Sequence, residues 1–367
     1  MLIRKLTLRH FRNVPLAALA FSGRRQFFAG ANGQGKSNLL EAAGCLTALR
    51  SFRTADSKVL VMHDQEEAGI ACEVEREGSG RERVTIKIRR EGKELWYDDR
   101  RVARLADHVG RFPTVVFSSQ DLQLIRGAPA LRRRWLDLTI SAMDREYLAA
   151  LQAYSRALSE RNALLRRPVP GVAAQLSAFE RAMAPEGARI VRLRTRWVAE
   201  LAGETHAAYG RLSGGAEPAT LEYASALEGL GEEGLLSLLE AGRERDMRMG
   251  ATLNGPHRDE LRFLVGGTDA RDFASEGQQR SVTLALRLAQ AAWFRARSGV
   301  TPVLLADDVL GELDAGRRER FWAALDPQAQ VIATGTQPPD RSLGDWQLFS
   351  VAGGVFSPDP DCMGAAD

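Results

Sequence analysis

The segment FFAGANGQGKSN at residues 27–38 constrains the fold of this chain more than any other part of the sequence. It matches the pattern GxxxxGK[ST] through Gly30, Gly35, Lys36 and Ser37, directly after an apolar run and directly before a helical run. Such a loop needs a strand before it and a helix after it, because its backbone N–H groups and the helix N-terminus face the phosphates of a nucleotide. The alternative is a glycine-rich turn with an incidental lysine.

Within this loop Lys36 is expected to bridge the terminal phosphates, and the Ser37 hydroxyl is expected to ligate magnesium. Only five of the 50 basic residues in the chain are lysine, so the lysine at this position stands out. A compact ammonium group fits inside a phosphate loop, whereas a planar guanidinium does not. The predicted nucleotide-binding residues of the loop are Gly30, Ala31, Asn32, Gly33, Gln34, Gly35, Lys36, Ser37 and Asn38.

A second acidic element, PVLLADDVLGELD at residues 302–314, reads as a buried strand that ends in two adjacent carboxylates. Carboxylates at the C-terminal end of a strand lie where α/β sheets bind ligands. We expect Asp307 to hold magnesium through water and Asp308 to polarise an attacking water as a catalytic residue. In isolation, both could be turn residues after a core strand.

The texture of the sequence changes along the chain. Short alternating or β-branched runs in the N-terminal third predict strands at residues 2–8, 26–29, 69–76, 83–90 and 114–118, with a helix from Lys36 to about Leu49. Residues 131–249 are rich in Ala, Leu, Arg and Glu with helical spacing, which predicts several helices, with interruptions at Pro168, Pro170 and Pro185 and almost no strand. The last third returns to mixed strands and helices.

One of those helices begins within DFASEGQQRSVTLALRLAQ, residues 272–290. Ser275 is a natural N-cap, and Gly277 leaves the helix start open to a close ligand. Alone this is an ordinary capped amphipathic helix. Its place one helix upstream of the acidic strand makes it resemble the signature motif of ABC-type ATPases, where a Ser-x-Gly-Gln start, here with Gln278, completes the ATP site of another copy. The tetrapeptide LSGG at residues 212–215 has no such helix-to-strand path, and it is read as a loop.

Taken together and in order, six segments resemble the RecF family of bacterial recombination and replication-repair proteins. The segments are LRHFRN, GANGQGKSN, FSSQDLQLIRGAPALRRRWLD, TLNGPHRDEL, DFASEGQQRS and DDVLGELD. The resemblance implies an α/β fold: an ABC-type P-loop ATPase head with a mixed sheet, plus a helical insertion arm that lacks a long coiled coil. On this basis residues 1–120 and 251–367 form the head, and residues 121–250 form the arm.

The same resemblance implies ATP and magnesium as cofactors, an ATP-dependent homodimer and a weak DNA-dependent ATPase. It further implies binding at junctions of duplex and single-stranded DNA, RecR and RecO as partners, and a cytoplasmic, nucleoid-associated protein with no membrane partner. Arg12 and Asn13 match residues that lie near the nucleotide in SMC-like heads, although Asn13 also suits a tight turn. Gln120 in FSSQDL is the counterpart of the catalytic glutamine loop.

The sequence departs from the wider ABC pattern at two places. Asp308 stands where transporter ATPases usually carry glutamate, which suggests slow hydrolysis. The segment VIATGTQ at residues 331–337 has no switch histidine, so Thr334, Thr336 and Gln337 remain open candidates for sensing the γ-phosphate.

Basic residues are concentrated in the helical region, where residues 126–200 hold 14 arginines against 7 acidic residues. This excess predicts a DNA-binding patch at Arg132, Arg133 and Arg134, extended onto the head by Arg53 and Lys58. The alternative for any single arginine is a solvated helix face. His257 in GPHRDEL has no metal-ligand spacing around it and is expected to be a hydrogen-bonded structural residue.

The remaining composition excludes several classes. A net charge of +3 argues against a polybasic protein that is held to nucleic acid by bulk charge. Cys45, Cys72 and Cys362 are too few and too widely spaced for a zinc site or a disulfide framework. No signal peptide or apolar span is evident, so a soluble cytoplasmic protein is expected. The rival functions are a membrane transporter's ATPase subunit, a P-loop kinase for a small molecule and a non-enzymatic SMC-like scaffold.

Overall fold

A computed structural model describes residues 1–54, 56–76, 78, 80–167, 170–215, 217–309, 311, 313–340 and 343–359. The chain divides into two compact units. Unit 1 consists of Met1–Asp121, Ala208–Ala216 and Thr283–Asp367, and unit 2 consists of Leu122–Ala207 and Glu217–Val282. Residues 251–282, which the sequence assigns to the head, therefore fall within unit 2. Pro168 and Cys362 lie outside the described residues.

Unit 1 contains most of the strands. They and the helices between them are β1 Leu2–Phe11, β2 Val14–Ala20, β3 Arg25–Ala29, α1 Lys36–Ala48, β4 Glu67–Arg76, β5 Gly80–Arg89, β6 Lys93–Tyr97, β7 Arg100–Arg101 and β8 Thr114–Ser118. After unit 2 the chain returns with β12 Val303–Asp307, α10 Ala315–Ala324, β13 Val331–Gly335, β14 Gln347–Ala352 and β15 Val355–Pro358.

Unit 2 is mainly helical, as the composition of residues 131–249 predicts. Its elements are α2 Leu122–Arg126, α3 Pro129–Ser141, α4 Arg145–Arg166, α5 Val172–Ser213, β9 Ala219–Ala224, α6 Gly231–Ala241, α7 Arg243–Met249, β10 Glu260–Val265, β11 Thr268–Asp269, α8 Ala270–Phe273 and α9 Glu276–Ser298. Strands β11, β10 and β9 form a small antiparallel sheet in that order. Helices α5 and α9 each extend from unit 2 into unit 1.

The two large sheets of unit 1 have different characters. One is antiparallel with the order β2-β1-β4-β5-β6-β7, and its strands alternate between buried and more exposed residues. The other has the order β15-β14-β3-β13-β12-β8, with five parallel strands and β15 antiparallel at the edge. Strands β8, β12 and β13 are buried at every position, because a parallel sheet is covered on both faces. This mixed architecture confirms the predicted α/β fold.

The core of unit 1 joins both sheets through helix α1. Leu39, Leu40 and Leu46 of α1 are fully buried. They belong to one apolar cluster with side chains from β1, β4 and β5 and from the parallel strands. Helix α1 is therefore fixed along its length, and its first turn, which carries Lys36 and Ser37, is held in place by this packing.

Helix α5 corrects one sequence prediction. Its 42 residues run without a break through Pro185, where an interruption was expected. Proline removes one backbone hydrogen bond and costs a helix about 3 kcal/mol. Its neighbours Met183 and Ala184 are almost fully buried, and such tertiary packing offsets the cost. Among the described helices, none combines the length and the hydropathy that a membrane-spanning segment needs.

Candidate nucleotide-binding site

The phosphate-type loop joins β3 to α1, as the sequence predicts. Gly35 caps the helix with φ 107°, a left-handed conformation that favours glycine. Lys36 is buried, and its Nζ donates to the carbonyl oxygens of Gly30 at 2.5 Å and Ala31 at 2.9 Å. The ammonium group thus lies inside the loop, where it would contact a bound phosphate group. Ala31, Asn32 and Gly33 are exposed at the loop's outer side.

The acidic strand meets the loop at the carboxyl edge of the parallel sheet. Strands β3, β13 and β12 are adjacent, with Asp307 opposite Thr334 and Gly335 opposite Ala29. The Ser37 hydroxyl donates to Asp307 Oδ1 at 2.7 Å across 270 residues of sequence. Burial raises the pKa of Asp307 above its ordinary value, while hydrogen bonds from the Ser37 and Thr334 hydroxyls act in the opposite direction.

The two aspartates differ in their surroundings. Asp307 is 8% exposed, whereas Asp308 is half-buried and has φ 58°, in the left-handed region. Its backbone N–H donates to Thr334 Oγ1 at 3.1 Å. Of the open candidates for a γ-phosphate sensor, Thr334 is buried while Thr336 and Gln337 are exposed.

A buried carboxylate that sequence reasoning missed organises the flank of the loop. Glu41 of α1 is fully buried and accepts bonds from the Arg12 guanidinium at 2.5 and 2.7 Å. It also accepts from Arg53 Nη1 at 3.2 Å and from the Ser51 hydroxyl. Arg53, predicted as a DNA contact, is therefore held with Arg12 beside the first turn of α1. A lone Glu within an amphipathic helix gives no sequence cue to this role.

Two asparagines continue the same cluster. Asn38 Nδ2 donates to Asn13 Oδ1 at 2.7 Å, and Asn38 Oδ1 accepts from Arg53 Nη1 at 2.8 Å. Arg12 and Asn13 form the tight turn between β1 and β2, with φ 53° at Arg12. Asn13 can therefore be both a residue of a tight turn and a residue near the nucleotide. The structure brings the predicted residues Arg12, Asn13 and Asn38 together.

The turn between β14 and β15 holds the loop from its other side. The Gly354 N–H donates to the Gln34 carbonyl oxygen at 2.9 Å. The Gly353 N–H donates to Gln34 Oε1 at 2.7 Å. Sequence reasoning missed this contact, because a Gly-Gly turn some 320 residues downstream indicates only a hairpin.

The predicted signature helix has the capping geometry that its sequence indicates. The Ser275 hydroxyl accepts from the Gln278 N–H at 3.3 Å, and Gln278 Oε1 accepts from the Ser275 N–H at 2.8 Å. Gln278 Nε2 also donates to Glu217 at 2.8 Å. Ser275 is exposed and Gly277 is half-buried at the start of α9. Further along α9, the apolar residues Val282, Leu284, Ala285, Leu288 and Ala289 are all buried, as expected for an amphipathic helix.

Two other predictions near these motifs are refined. Gln120 is exposed in a short 3₁₀ turn that follows β8, and its N–H donates to the Ser118 hydroxyl at 3.3 Å. The tetrapeptide LSGG is only partly a loop: Leu212 and Ser213 are the last two residues of α5, and Gly214 follows with φ 76°.

The three consecutive arginines predicted to bind DNA are mostly engaged within unit 2. Arg132 is 5% exposed; it pairs with both Glu260 carboxylate oxygens at 2.8 Å and donates to three carbonyl oxygens of residues 124–127. Arg133 Nη1 donates to the Asp259 carbonyl oxygen at 2.8 Å. Arg134 is half-buried on α3. The guanidinium of Arg132 thus stabilises unit 2, and we do not retain it as a DNA contact. Lys58 is exposed.

The GPHRDEL segment is a hydrogen-bonding centre of unit 2. His257 Nδ1 accepts from the Tyr154 hydroxyl at 2.7 Å, and its Nε2–H donates to the Thr252 carbonyl oxygen at 3.0 Å. Burial lowers the pKa of His257 to about 4, so the ring is neutral at pH 7. Asp259 accepts from Tyr223, Ser225 and Arg194. These contacts support the structural interpretation of His257, and no group of three or more ligand side chains suited to a metal ion occurs among the described residues.

The chain is similar to known proteins in sequence and in fold. The family model described as the RecF/RecN/SMC N-terminal domain matches residues 2–341. The chain is 36% identical over 377 residues to a "DNA replication and repair protein RecF" of Synechococcus sp. (strain JA-2-3B'a(2-13)), covering 98% of each chain. It is 38% identical to the protein of the same description from Chloroflexus aurantiacus, covering 93% of this chain and 95% of that one. A solved structure of "the recombination mediator protein RecF-ATP in RecFOR pathway" superposes with a TM-score of 0.88 at 30% identity, covering 97% of both.

Proposed function

The chain belongs to the RecF family, and from this membership and the site geometry we propose that it is an ATP-binding protein of DNA replication and repair. The observation that carries the proposal is the 2.7 Å bond between Ser37 of the loop and Asp307 of the acidic strand. It joins two elements that a phosphate-loop ATPase needs, which are 270 residues apart in the sequence and meet at the edge of the parallel sheet. The related structure described with ATP supports the same nucleotide for this chain.

Magnesium suits the donor set at the centre of the site. The Ser37 hydroxyl and the Asp307 carboxylate are both hard oxygen ligands, the type that Mg²⁺ prefers together with water and phosphate oxygens. When bound, the ion would neutralise charge on the phosphate groups. Lys36 would hold the terminal phosphates, and Asp308, half-buried next to Asp307, would act on the attacking water. The aspartate in place of glutamate is consistent with slow hydrolysis.

We further propose that two copies share the nucleotide sites, with the α9 start of one copy facing the loop of the other. Within one copy, the Ser275 hydroxyl caps the start of its own helix by accepting the Gln278 N–H, and Ser275 is exposed. Exposed N–H groups at a helix N-terminus attract phosphate. The ATP-bound dimer would engage gapped DNA, help to recruit RecO and RecR, and be released by hydrolysis.

The basic surface for DNA must be drawn from exposed side chains. Arg192 and Arg196 on α5 have side chains about three-fifths exposed, and their acidic partners Glu146 and Glu200 are also exposed. Lys58 on unit 1 is exposed as well. Surface ion pairs of this kind are weak, so these side chains can exchange partners for DNA phosphates at little cost.

The proposal is tested by sedimentation of the wild-type chain and Lys36→Met, with and without ATP and a gapped DNA duplex. We expect ATP to convert the wild type to a dimer that co-sediments with DNA, and we expect Lys36→Met to remain a monomer in both conditions. A metabolite phosphorylated by an ATP-independent monomer would support the kinase alternative. Full ATP-responsive DNA binding by Lys36→Met and Asp307→Asn, with turnover at background, would support the scaffold. Co-purification with a membrane protein in place of DNA would support the transporter.

The shared site has its own variant. Ser275→Arg should bind ATP as the wild type does and fail to dimerise, because the long side chain blocks the face presented to the second copy. Ser213→Arg, in the LSGG tetrapeptide, is the matched control and should dimerise normally. Dimerisation that survives Ser275→Arg contradicts the shared site while leaving ATP binding intact.

A further inference from the structure

Thr334 occupies a position between the two acidic residues of the site. It lies one residue before the end of β13 and is 1% exposed. Its Oγ1 donates to Asp307 Oδ1 at 3.0 Å and accepts the Asp308 backbone N–H at 3.1 Å. A hydroxyl carries one proton and two lone pairs, so both bonds form at once without conflict. A single side chain is thus bonded to both consecutive acidic residues.

The bond to Asp307 limits how its carboxylate can rotate. Oδ1 receives one hydrogen bond from Ser37, in the first turn of α1, and one from Thr334, on β13. Ser37 is the proposed partner of Asp307 in holding magnesium. Thr334 therefore gives the same carboxylate oxygen a second hydrogen bond, from the strand that lies between β3 and β12. Groups that orient a metal-binding carboxylate in this way tune both metal affinity and activity.

The bond to Asp308 stabilises an unusual backbone. Asp308 has φ 58°, a region that non-glycine residues rarely adopt. This conformation sets the direction in which the Asp308 side chain leaves the strand end. By accepting the Asp308 N–H, Thr334 gives this partly buried donor a partner in that conformation. Strained residues of this kind occur at active sites when the surrounding structure fixes them.

We propose that Thr334 is a positioning residue that sets the geometry of Asp307 and Asp308 together. We do not assign it as the γ-phosphate sensor, because a phosphate group accepts hydrogen bonds and the single hydroxyl proton of Thr334 is donated to Asp307. This inference rests on the proposed ATP-binding function. It assigns one residue the task of coupling the magnesium-binding carboxylate to the one that acts on water.

The test compares Thr334→Val, which keeps the shape and removes the hydroxyl, with Thr334→Ser, which restores it. Thr205→Val is the matched control: Thr205 is also fully buried and donates one hydroxyl bond, to the Leu201 carbonyl oxygen at 2.7 Å in unit 2. Three quantities are measured: the magnesium concentration needed for half-maximal binding of a fluorescent ATP analogue, kcat and KM for ATP at saturating magnesium, and Tm.

For Thr334→Val we expect a magnesium midpoint raised and a kcat lowered by roughly 10- to 100-fold, with KM for ATP nearly unchanged. Thr334→Ser should lie within about threefold of the wild type, and Thr205→Val should change Tm alone. The inference is overturned if Thr334→Val keeps the wild-type midpoint and kcat, or if Thr334→Ser is as impaired as Thr334→Val. If Thr334→Val does not fold, Thr334→Ala is measured against the same two limits. If the wild type does not bind ATP, the proposed function is refuted. If the wild type binds ATP and Thr334→Val behaves as the wild type does, only this inference is refuted.

Discussion

Acid should destabilise this protein through two buried histidines that have the same arrangement, one in each unit. His108 Nδ1 accepts from the Tyr97 hydroxyl at 2.8 Å, and its Nε2–H donates to the Leu46 carbonyl oxygen. His257 is placed in the same way between Tyr154 and Thr252. A carbonyl oxygen can only accept, so each ring is fixed as the neutral tautomer with its proton on Nε2.

The pKa values give the size of the effect. Burial is the main cause that lowers the pKa of each histidine from 6.5 to about 4, and nearby arginines act in the same direction. The charged groups concerned are Arg111 for His108, and Arg133, Arg194 and Arg258 for His257. Because the folded pKa is the lower one, the unfolded chain binds the proton first, and stability falls as the pH decreases from 6.5 to 4. Each histidine then costs about 2 kcal/mol at pH 5 and about 3 kcal/mol well below pH 4.

The assay is urea unfolding at pH 7.0 and pH 5.0 for the wild type, His108→Gln and His257→Gln, with His63→Gln as the control. The His63 side chain is 94% exposed, so this variant measures the effect of replacing a histidine outside the core. Each buried variant should be less stable than the wild type at pH 7.0 and should lose about 2 kcal/mol less between the two pH values. Each variant reports on its own unit. An undiminished loss in both variants would show that the buried rings do not control the acid sensitivity.

Three further substitutions follow from the same contacts. Glu41→Gln should lower the free energy of unfolding by about 3 kcal/mol in urea, because it leaves Arg12 and Arg53 without their shared buried carboxylate; an unchanged midpoint would contradict that role. Arg161→Met should lower the free energy of unfolding by about 3–5 kcal/mol in the same measurement, because Glu180 and Asp246 are almost fully buried around its fully buried guanidinium. A decrease under about 1 kcal/mol would show that the two carboxylates find other partners. Gly354→Ala should weaken binding of a fluorescent ATP analogue, because a Cβ at this position would lie 2.5 Å from the Asn13 carbonyl oxygen and displace the turn from Gln34. The control is Gly23→Ala, which should bind the analogue normally, because Gly23 has a similar φ and open space around it.

The parts of the site that sequence could predict are those fixed by local chemistry. A glycine-rich loop between a strand and a helix, a strand ending in two carboxylates and a Ser-x-x-Gln helix start each have their own short-range pattern, and the structure places Lys36, Asp307 and Ser275 accordingly. Glu41 and the Gly353–Gly354 turn were missed because their partners come from distant segments. The bonds of Thr334 to Asp307 and Asp308 could not be predicted, since its register opposite Asp307 is a property of the sheet.

The interruption predicted at Pro185 fails for a related reason. Propensity describes an isolated segment, whereas α5 is held by buried residues on both sides of the proline, from Leu176 and Met183 to Ile190 and Trp197. A local cost of about 3 kcal/mol is small beside the burial of several large side chains, each of which contributes about 1.5–3 kcal/mol. Helix boundaries in a packed unit are therefore set by the neighbours as much as by the sequence.

The arginine content of the helical region changes meaning once the partners are known. Arg161 donates to two carboxylates, a hydroxyl and a carbonyl oxygen, and Arg194 donates to Asp137, Asp259, Tyr147 and the Pro256 carbonyl oxygen. Only a guanidinium offers five donors in a fixed plane, so lysine could not replace either residue. Part of the positive charge counted along residues 126–200, that of the buried Arg132, Arg161 and Arg194, thus holds the unit together. A charge-based prediction of the DNA surface should count exposed arginines alone, which removes Arg132 on α3 and retains exposed residues such as Arg192 and Arg196 on α5.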